Sequence, residues 1–239
     1  MKTKILFLFI LIIASISIFA QYETIRQDAI NKYNSYKYAD AKRTFQAAEV
    51  ASDAPIQNDL TTWIDKCNKM LAIRLDLSRD SLSEIPEYVF QMPNLTVLNL
   101  SENKFTSLPP EIGNLKNLIY LNLRENKLTS LLPEIGNLTQ LVNLNLRKNS
   151  ITSLPPEIKK LINLTDLSLN GNNLTSLPME ITNLTNLTKL DLGDNNLKSL
   201  PLEIENLTNL KYLYLWNNNF SAKEKQKVEL LLPDCNIYW

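Results

Sequence analysis

The sequence predicts a stacked-repeat fold of the α/β class, and three observations carry that expectation. Leu95, Leu118, Leu141, Leu164, Leu187 and Leu210 fall at a constant interval of 23 residues, with Ala72 in the same phase one interval earlier. Within each interval apolar residues recur at fixed offsets, as in Leu98, Leu100, Phe105, Leu108, Ile112 and Leu115. The stretches before and after this array lose the period and show helical spacing instead, as flanking caps should.

Each part of the 23-residue unit has a physical reading. The pattern is LxxLxLxxNxLxxLPxxIxxLxx, and its LxLxx portion alternates apolar and polar with period 2, which predicts a short strand with one buried face. Asn103, Asn126, Asn149, Asn172, Asn195 and Asn218 stand where the chain must leave that strand. An amide there can satisfy backbone groups of its own coil and of the next, so these asparagines are expected to be structural. Pro109, Pro155, Pro178 and Pro201 then bar regular pairing, and the PPEIGNL-like segment after them predicts a short helical turn or extended coil. One unit departs from this, with Leu132 in the proline position and Pro133 one place later. No unit can bury its own leucines, so each must stack on its neighbours.

These residues resemble the leucine-rich repeat family, in its 23-residue type with an LPxxI segment. The repeat style is similar to that of bacterial exported members and of the Ras-signalling scaffold group of eukaryotes. The resemblance covers residues 72 to about 232 and implies a curved right-handed solenoid with a parallel sheet lining the concave side. It also implies a non-enzymatic recognition scaffold.

The ends of the array are expected to be capped. After Phe220, the run AKEKQKVELLLP predicts an amphipathic helix and NIYW a final strand, so residues 221–239 read as the C-terminal cap. On the other side, residues 21–71 show helical spacing in Ile25, Ala29 and Tyr33 and again in Tyr38, Ala41, Phe45 and Ala48. There YKYADAKRTFQAA resembles the second helix of a tetratricopeptide unit. A single copy cannot build a peptide groove, so it reads as a helical cap or docking element. The domain division is therefore a signal peptide over 1–20, a helical cap over 21–71 and the repeat domain over 72–239.

Residues 1–20 read as an export signal: Lys2 and Lys4 precede an apolar stretch that ends at the small residue Ala20. Its 16 apolar-segment residues, 5–20, fall short of the roughly 20 a spanning helix needs, so no membrane span is expected after cleavage. The expected location is outside the cytoplasm, whether periplasmic, surface-bound or secreted.

Composition excludes several functions. With 25 basic and 25 acidic residues there is no field to draw the chain to nucleic acid. With no histidine, Ser-His-Asp and Cys-His catalysis and His-ligated zinc are out of reach. Cys67 and Cys235 flank seven coils stacked about 4.8 Å apart, far beyond the roughly 7 Å a disulfide spans, so both are expected unpaired and buried in the caps. The glutamates Glu111, Glu134, Glu157, Glu180 and Glu203 recur at the start of the turn, where a carboxylate favours a helical N-terminus, and are not read as catalytic pairs. Eight N-x-S/T sequons, including those opened by Asn137, Asn163, Asn186 and Asn206, follow from the Asn-Leu-Thr unit itself. No cofactor, metal or catalytic residue is expected.

Function is then sought on the second, fourth and sixth residues after each opening leucine, which alternate away from the core. Asn99, Asn122 and Asn145 form a polar ladder there, and Arg124 and Arg147 with Lys148 form a basic patch beside it. Tyr212, Tyr214 and Trp216 crowd the seventh strand, with Asp191 one coil away. Aromatics and arginine dominate interface energetics, so Tyr120, Arg124, Arg147, Asp166, Asp191, Tyr212, Tyr214 and Trp216 are the expected partner-binding residues. The expected partner is another protein. Two readings stay open: glycan binding by the same face, and aromatics that merely shield the C-terminal edge.

Overall fold

The computed structural model describes residues 74–239. The expected export segment, the helical segment 21–71 and Cys67 lie outside the described residues. Eight three-residue strands run through the described part: β1 (Arg74–Asp76), β2 (Val97–Asn99), β3 (Tyr120–Asn122), β4 (Asn143–Asn145), β5 (Asp166–Ser168), β6 (Lys189–Asp191), β7 (Tyr212–Tyr214) and β8 (Asn236–Tyr238). They form one open parallel sheet in chain order. The sequence interval becomes the register: Leu98 faces Leu121 and Leu121 faces Leu144, each 23 residues on. Only β8 breaks step, with Tyr214 opposite Tyr238, 24 residues on.

The connections follow from their prolines. Pro109 and Pro155 hold extended backbone and each leads into a five-residue 3-10 turn, Pro110–Asn114 and Pro156–Lys160. Leu132 takes the same extended conformation, φ −79° and ψ 155°, and Pro133 opens its turn as Pro110 does. The departure in that unit is thus absorbed without a change of backbone. A buried β-branched residue from each turn, Val89, Ile112, Ile135, Ile158, Ile181 and Ile204, meets the strand leucines in one continuous core. In the unit opened by Leu118, seven apolar side chains from Leu118 to Leu138 are at most 5% exposed.

The buried asparagines join coil to coil, in the direction opposite to the expected one. Asn172 accepts at Oδ1 from Ile151 N–H (2.9 Å), and its Nδ2 donates to Leu146 O (3.0 Å) and Leu169 O (2.8 Å). Ile151 and Leu146 belong to the preceding coil, so the amide reaches back and not forward. Asn103, Asn126, Asn149, Asn195 and Asn218 repeat the arrangement. On the other side of the strand, Asn117, Asn163, Asn186 and Asn209 donate to carbonyls of the preceding coil at 2.7–2.8 Å. The sequon amides of Asn163 and Asn186 therefore hold structure.

One backbone position per coil is held in the left-handed region, and the first described coil, with Arg79 (φ 63°) in that phase, adds Ser81 (φ 56°). Glu102, Glu125, Lys148, Asp194 and Asn217 have φ between 49° and 58°, and glycine relieves the strain only at Gly171 (φ 68°). Each non-glycine costs on the order of 1 kcal/mol. The conformation persists because its N–H is bound to the next coil, as in Glu125 N–H to Arg147 O (2.8 Å) and Lys148 N–H to Asn170 O (2.7 Å).

The C-terminal cap forms as read. Ser221 accepts from Glu224 N–H (3.2 Å) at the start of helix α1 (Ala222–Leu231), and β8 then pairs with β7. The docking stripe of α1 is narrower than its leucine-rich finish suggests: Val228 is buried, whereas Leu230 is 81% exposed. Cys235 is a free thiol but only half-buried, a correction to the expected buried cap cysteine. The cause is its place on the exposed approach to the edge strand, and partial burial still pushes the thiol up to about 11.

Asn172→Ala removes three hydrogen bonds at a buried site and leaves one N–H and two carbonyls without that partner. We expect a loss of about 1–3 kcal/mol in denaturant unfolding, against a negligible loss for Asn173→Ala, whose side chain is exposed.

Candidate functional site on the open face of the sheet

The open face is built from alternate positions of each strand, which in β2 to β6 are half-buried while the leucine between them is fully buried. At the fourth position, the expected polar ladder proves to be a set of strand-end caps. Asn99, Asn122 and Asn145 each accept at Oδ1 from the backbone N–H two residues on, at 3.1–3.2 Å, and Asp76 and Asp191 do the same at 2.8 and 3.2 Å. These caps fix where the sixth residue leaves the strand, so they position Arg124, Arg147 and Gly193.

The basic patch is real and unevenly paired. Arg124 Nη2 and Lys148 Nζ both lie 2.7 Å from Glu125 Oε1. Lys148 first, then Arg124, hold the Glu125 carboxyl below the usual range against the opposing effect of burial. Among the described residues Arg147 has no ion-pair partner. Its Nε, with Arg124 Nε and Asn170 Nδ2, is buried without a hydrogen-bond partner. In the neighbouring row, in phase with Glu125 and Lys148, Arg79 forms a two-point contact with Glu102 at 2.8 and 2.9 Å.

The aromatic cluster is larger than the sequence suggested. Tyr214 stacks on Tyr238 at 4.7 Å with an interplanar angle of 11°, and Lys189 Nζ sits 5.6 Å from the Tyr214 ring centre. Trp216 lies over Gly193 and against Asn170: a Cβ at Gly193 would overlap the indole ring and stand 2.8 Å from Asn170 Nδ2. Asn170 is in consequence only 1% exposed. Trp239, by contrast, packs away on the cap, edge-on to Phe220 at 5.3 Å and bonded through Nε1 to Glu229 (2.9 Å).

The structure thus brings the expected residues together in two groups. Arg124 and Arg147 are neighbours, and Asp191, Tyr214 and Trp216 share the C-terminal end with Tyr212, which is 43% exposed. Tyr120 and Asp166 join neither group: Asn143 separates them in the register, and Asp166 is occupied by Thr165 Oγ1 at 2.8 Å. Asn170, Lys189 and Tyr238 were missed. The first two stand in the same rows as the expected residues and could have been found there. Tyr238 sits one residue out of phase and gave no periodic signal. Among the described residues no group of three or more Cys, Asp or Glu could hold a metal ion, and no helix is long and apolar enough to cross a membrane.

With the repeats and their face established, sequence comparison places the chain. A profile described as leucine-rich repeats in two copies matches residues 93–137 and 185–224, and a second leucine-rich repeat profile matches 139–197. Together they span more than half of the chain, which belongs to the leucine-rich repeat family. No curated protein matches it.

Among solved structures it is similar to the leucine-rich repeat ectodomain of the Arabidopsis thaliana membrane receptor kinase GASSHO1/SCHENGEN3 in complex with CASPARIAN STRIP INTEGRITY FACTOR 2. The two are 32% identical over 69% of this chain and 20% of that one, with a TM-score of 0.59. The plant peptide hormone receptor RGFR1 in complex with RGF2 is 28% identical over 62% of this chain and 25% of that one, TM-score 0.56. An internalin of Listeria monocytogenes shares the fold at 21% identity, 70% and 54% coverage and TM-score 0.54. In each case the chain spans less than two thirds of the other protein.

Two measurements check this geometry. Gly193→Ala should dislodge Trp216 and expose Asn170, seen as a red shift of tryptophan emission with the fold intact by circular dichroism. Asp191 is raised above the usual carboxylate range, by burial first, while Gly193 N–H, Arg147 and Lys189 oppose. Its ionised form therefore costs stability above the folded-state pKa, and that cost vanishes as pH falls below the unfolded value near ~3.9. Asp191→Asn should melt higher than the parent at pH 7, and the gap should close as the pH approaches 3.5.

Proposed function

We propose that this chain is an exported, non-enzymatic recognition scaffold that binds another protein through the open face of its sheet, the concave side of the solenoid. The observation that carries the reading is the pair of groups at one end of that face: the Tyr214–Tyr238 stack with Lys189 against it, and Trp216 laid over Gly193. Flat, rigid aromatic surface beside charge is what interface anchors are made of, because it buries area at little entropic cost. A hydrogen-bonded sheet holds it in place before any partner arrives, which lowers the ordering cost of binding. The two plant receptors, each solved with a ligand named in its complex, support a binding role for a fold of this kind.

Glycan binding is the second reading, favoured by the stacked tyrosines beside Asp191, since an aromatic face and a carboxylate together suit a sugar ring. A glycan array run against affinity capture from the native environment separates the two. The aromatics also cover the edge of the array, and one experiment weighs that role against binding. Tyr214→Ala with Trp216→Ala should abolish capture of the partner while lowering the melting temperature by no more than a few degrees. A collapse of the melting transition would assign these rings to edge shielding instead.

A further inference from the structure

The sixth position of three consecutive coils carries a second, chemically distinct feature of the same face. Arg124, Arg147 and Asn170 follow one another there. Their main chain is fully engaged: the N–H groups of Arg124 and Arg147 go to Asn122 and Asn145, and the carbonyls of all three accept from the left-handed residue of the preceding coil at 2.7–2.8 Å. Their side chains are engaged only in part, through Arg124 Nη2 to Glu125 Oε1 (2.7 Å). Arg124 Nε, Arg147 Nε and Asn170 Nδ2 are all buried donors with no acceptor.

The charge is unbalanced in the same place. Arg124, Arg147 and Lys148 bring three cations, and two of them share the single carboxylate of Glu125. Parallel neighbours put the two arginines about 4.8 Å apart at the backbone, so like charges are held side by side on a chain whose overall balance is 25 to 25. A guanidinium offers only donors, and burying one without an acceptor is unfavourable. Nothing in the fold requires this row to be basic, since Ser101 and Gly193 occupy the same position in other coils.

We infer that Arg124 and Arg147, closed off at one end by the buried Asn170, form a carboxylate-binding row, which takes acidic residues of an extended segment of the protein partner. This deepens the scaffold reading above and rests on it. A carboxylate supplies acceptor oxygens and negative charge together, and its two oxygens match the planar guanidinium fork. Asn170, enclosed by Trp216, marks the end of the row, and Trp216 beyond it offers apolar surface. The partner segment therefore places its acidic residues toward the arginines and an apolar residue toward the tryptophan. Asp191 and Asp166 lie further along the sheet and set a limit on how much negative charge the face accepts.

The test uses the full-length protein and four fluorescein-labelled probes, three twelve-residue peptides and an oligothymidine, read by fluorescence anisotropy. One carries three glutamates and a leucine with an amidated C-terminus. A second replaces the glutamates by glutamine, a third is the glutamine peptide with a free C-terminal carboxylate, and a fourth is an oligothymidine of equal charge. We expect the amidated glutamate peptide to bind, the glutamine peptide to bind at least tenfold more weakly, and Arg147→Gln to weaken the glutamate peptide at least tenfold. Arg147→Lys should fall between, and Lys160→Gln on the opposite side should change nothing.

If the third peptide alone binds, the row reads chain ends and not acidic side chains. The proposal is overturned if the glutamate and glutamine peptides bind alike, if Lys160→Gln weakens binding as much as Arg147→Gln, or if oligothymidine binds as tightly as the glutamate peptide. Melting curves guard against a structural role: Arg147→Gln removes a half-buried cation whose Nε lacks an acceptor and should melt no lower than the parent. Should it leave capture of the native partner intact while the Tyr214 and Trp216 substitutions abolish it, this inference fails and the scaffold reading stands.

Discussion

Every coil of this protein is left incomplete until another coil completes it, both in its core and in its backbone. Leu121 and Ile135 are at most 1% exposed only because the coils on either side cover them. Asn126, Asn149 and Asn172 close the backbone accounts of two coils each through one amide. The rest of the architecture follows from that dependence. It holds the register at 23, keeps charged residues such as Glu125 and Lys148 in a left-handed conformation they would not choose alone, and needs a terminal helix and strand where neighbours run out.

The same frame explains how the open face can carry groups that do not help the fold. Strand-end caps at Asn122 and Asn145 fix the backbone of Arg124 and Arg147 regardless of what their side chains meet. Core and face are thereby uncoupled: the leucines and asparagines supply stability, and the outward positions can bear unpaired cations and exposed aromatics. Proteins retain such unfavourable arrangements where activity depends on them.

Much of this was legible because the signal was periodic. The interval from Leu95 to Leu210 located every strand from β2 to β7, and the prolines located the turns, including the one where Leu132 only looks irregular. What the period could not carry was direction and contact through space. An asparagine at a fixed offset announces that it bonds another coil but not which one, and the structure shows the preceding coil. Tyr238 escaped because one extra residue around the cap helix shifts it out of phase with Tyr214. The burial of Asn170 depends on the indole of Trp216, two coils on, crossing the glycine of the coil between them, a relation that exists only once the coils are stacked. The narrow docking of α1 was likewise hidden, since the leucine content of its last turn says nothing of which leucine finds a surface.

The backward reach of the asparagines gives the molecule a polarity in time as well as in space. Asn149 finds its partners in residues 123–146, all of which leave the ribosome before it does. A nascent coil is therefore received by a surface already laid down, and what it still awaits from the coil to come is cover for its open side and acceptors for N–H groups such as that of Glu125. Assembly can proceed like bricklaying, course upon course, with the helix and edge strand arriving as coping when translation ends.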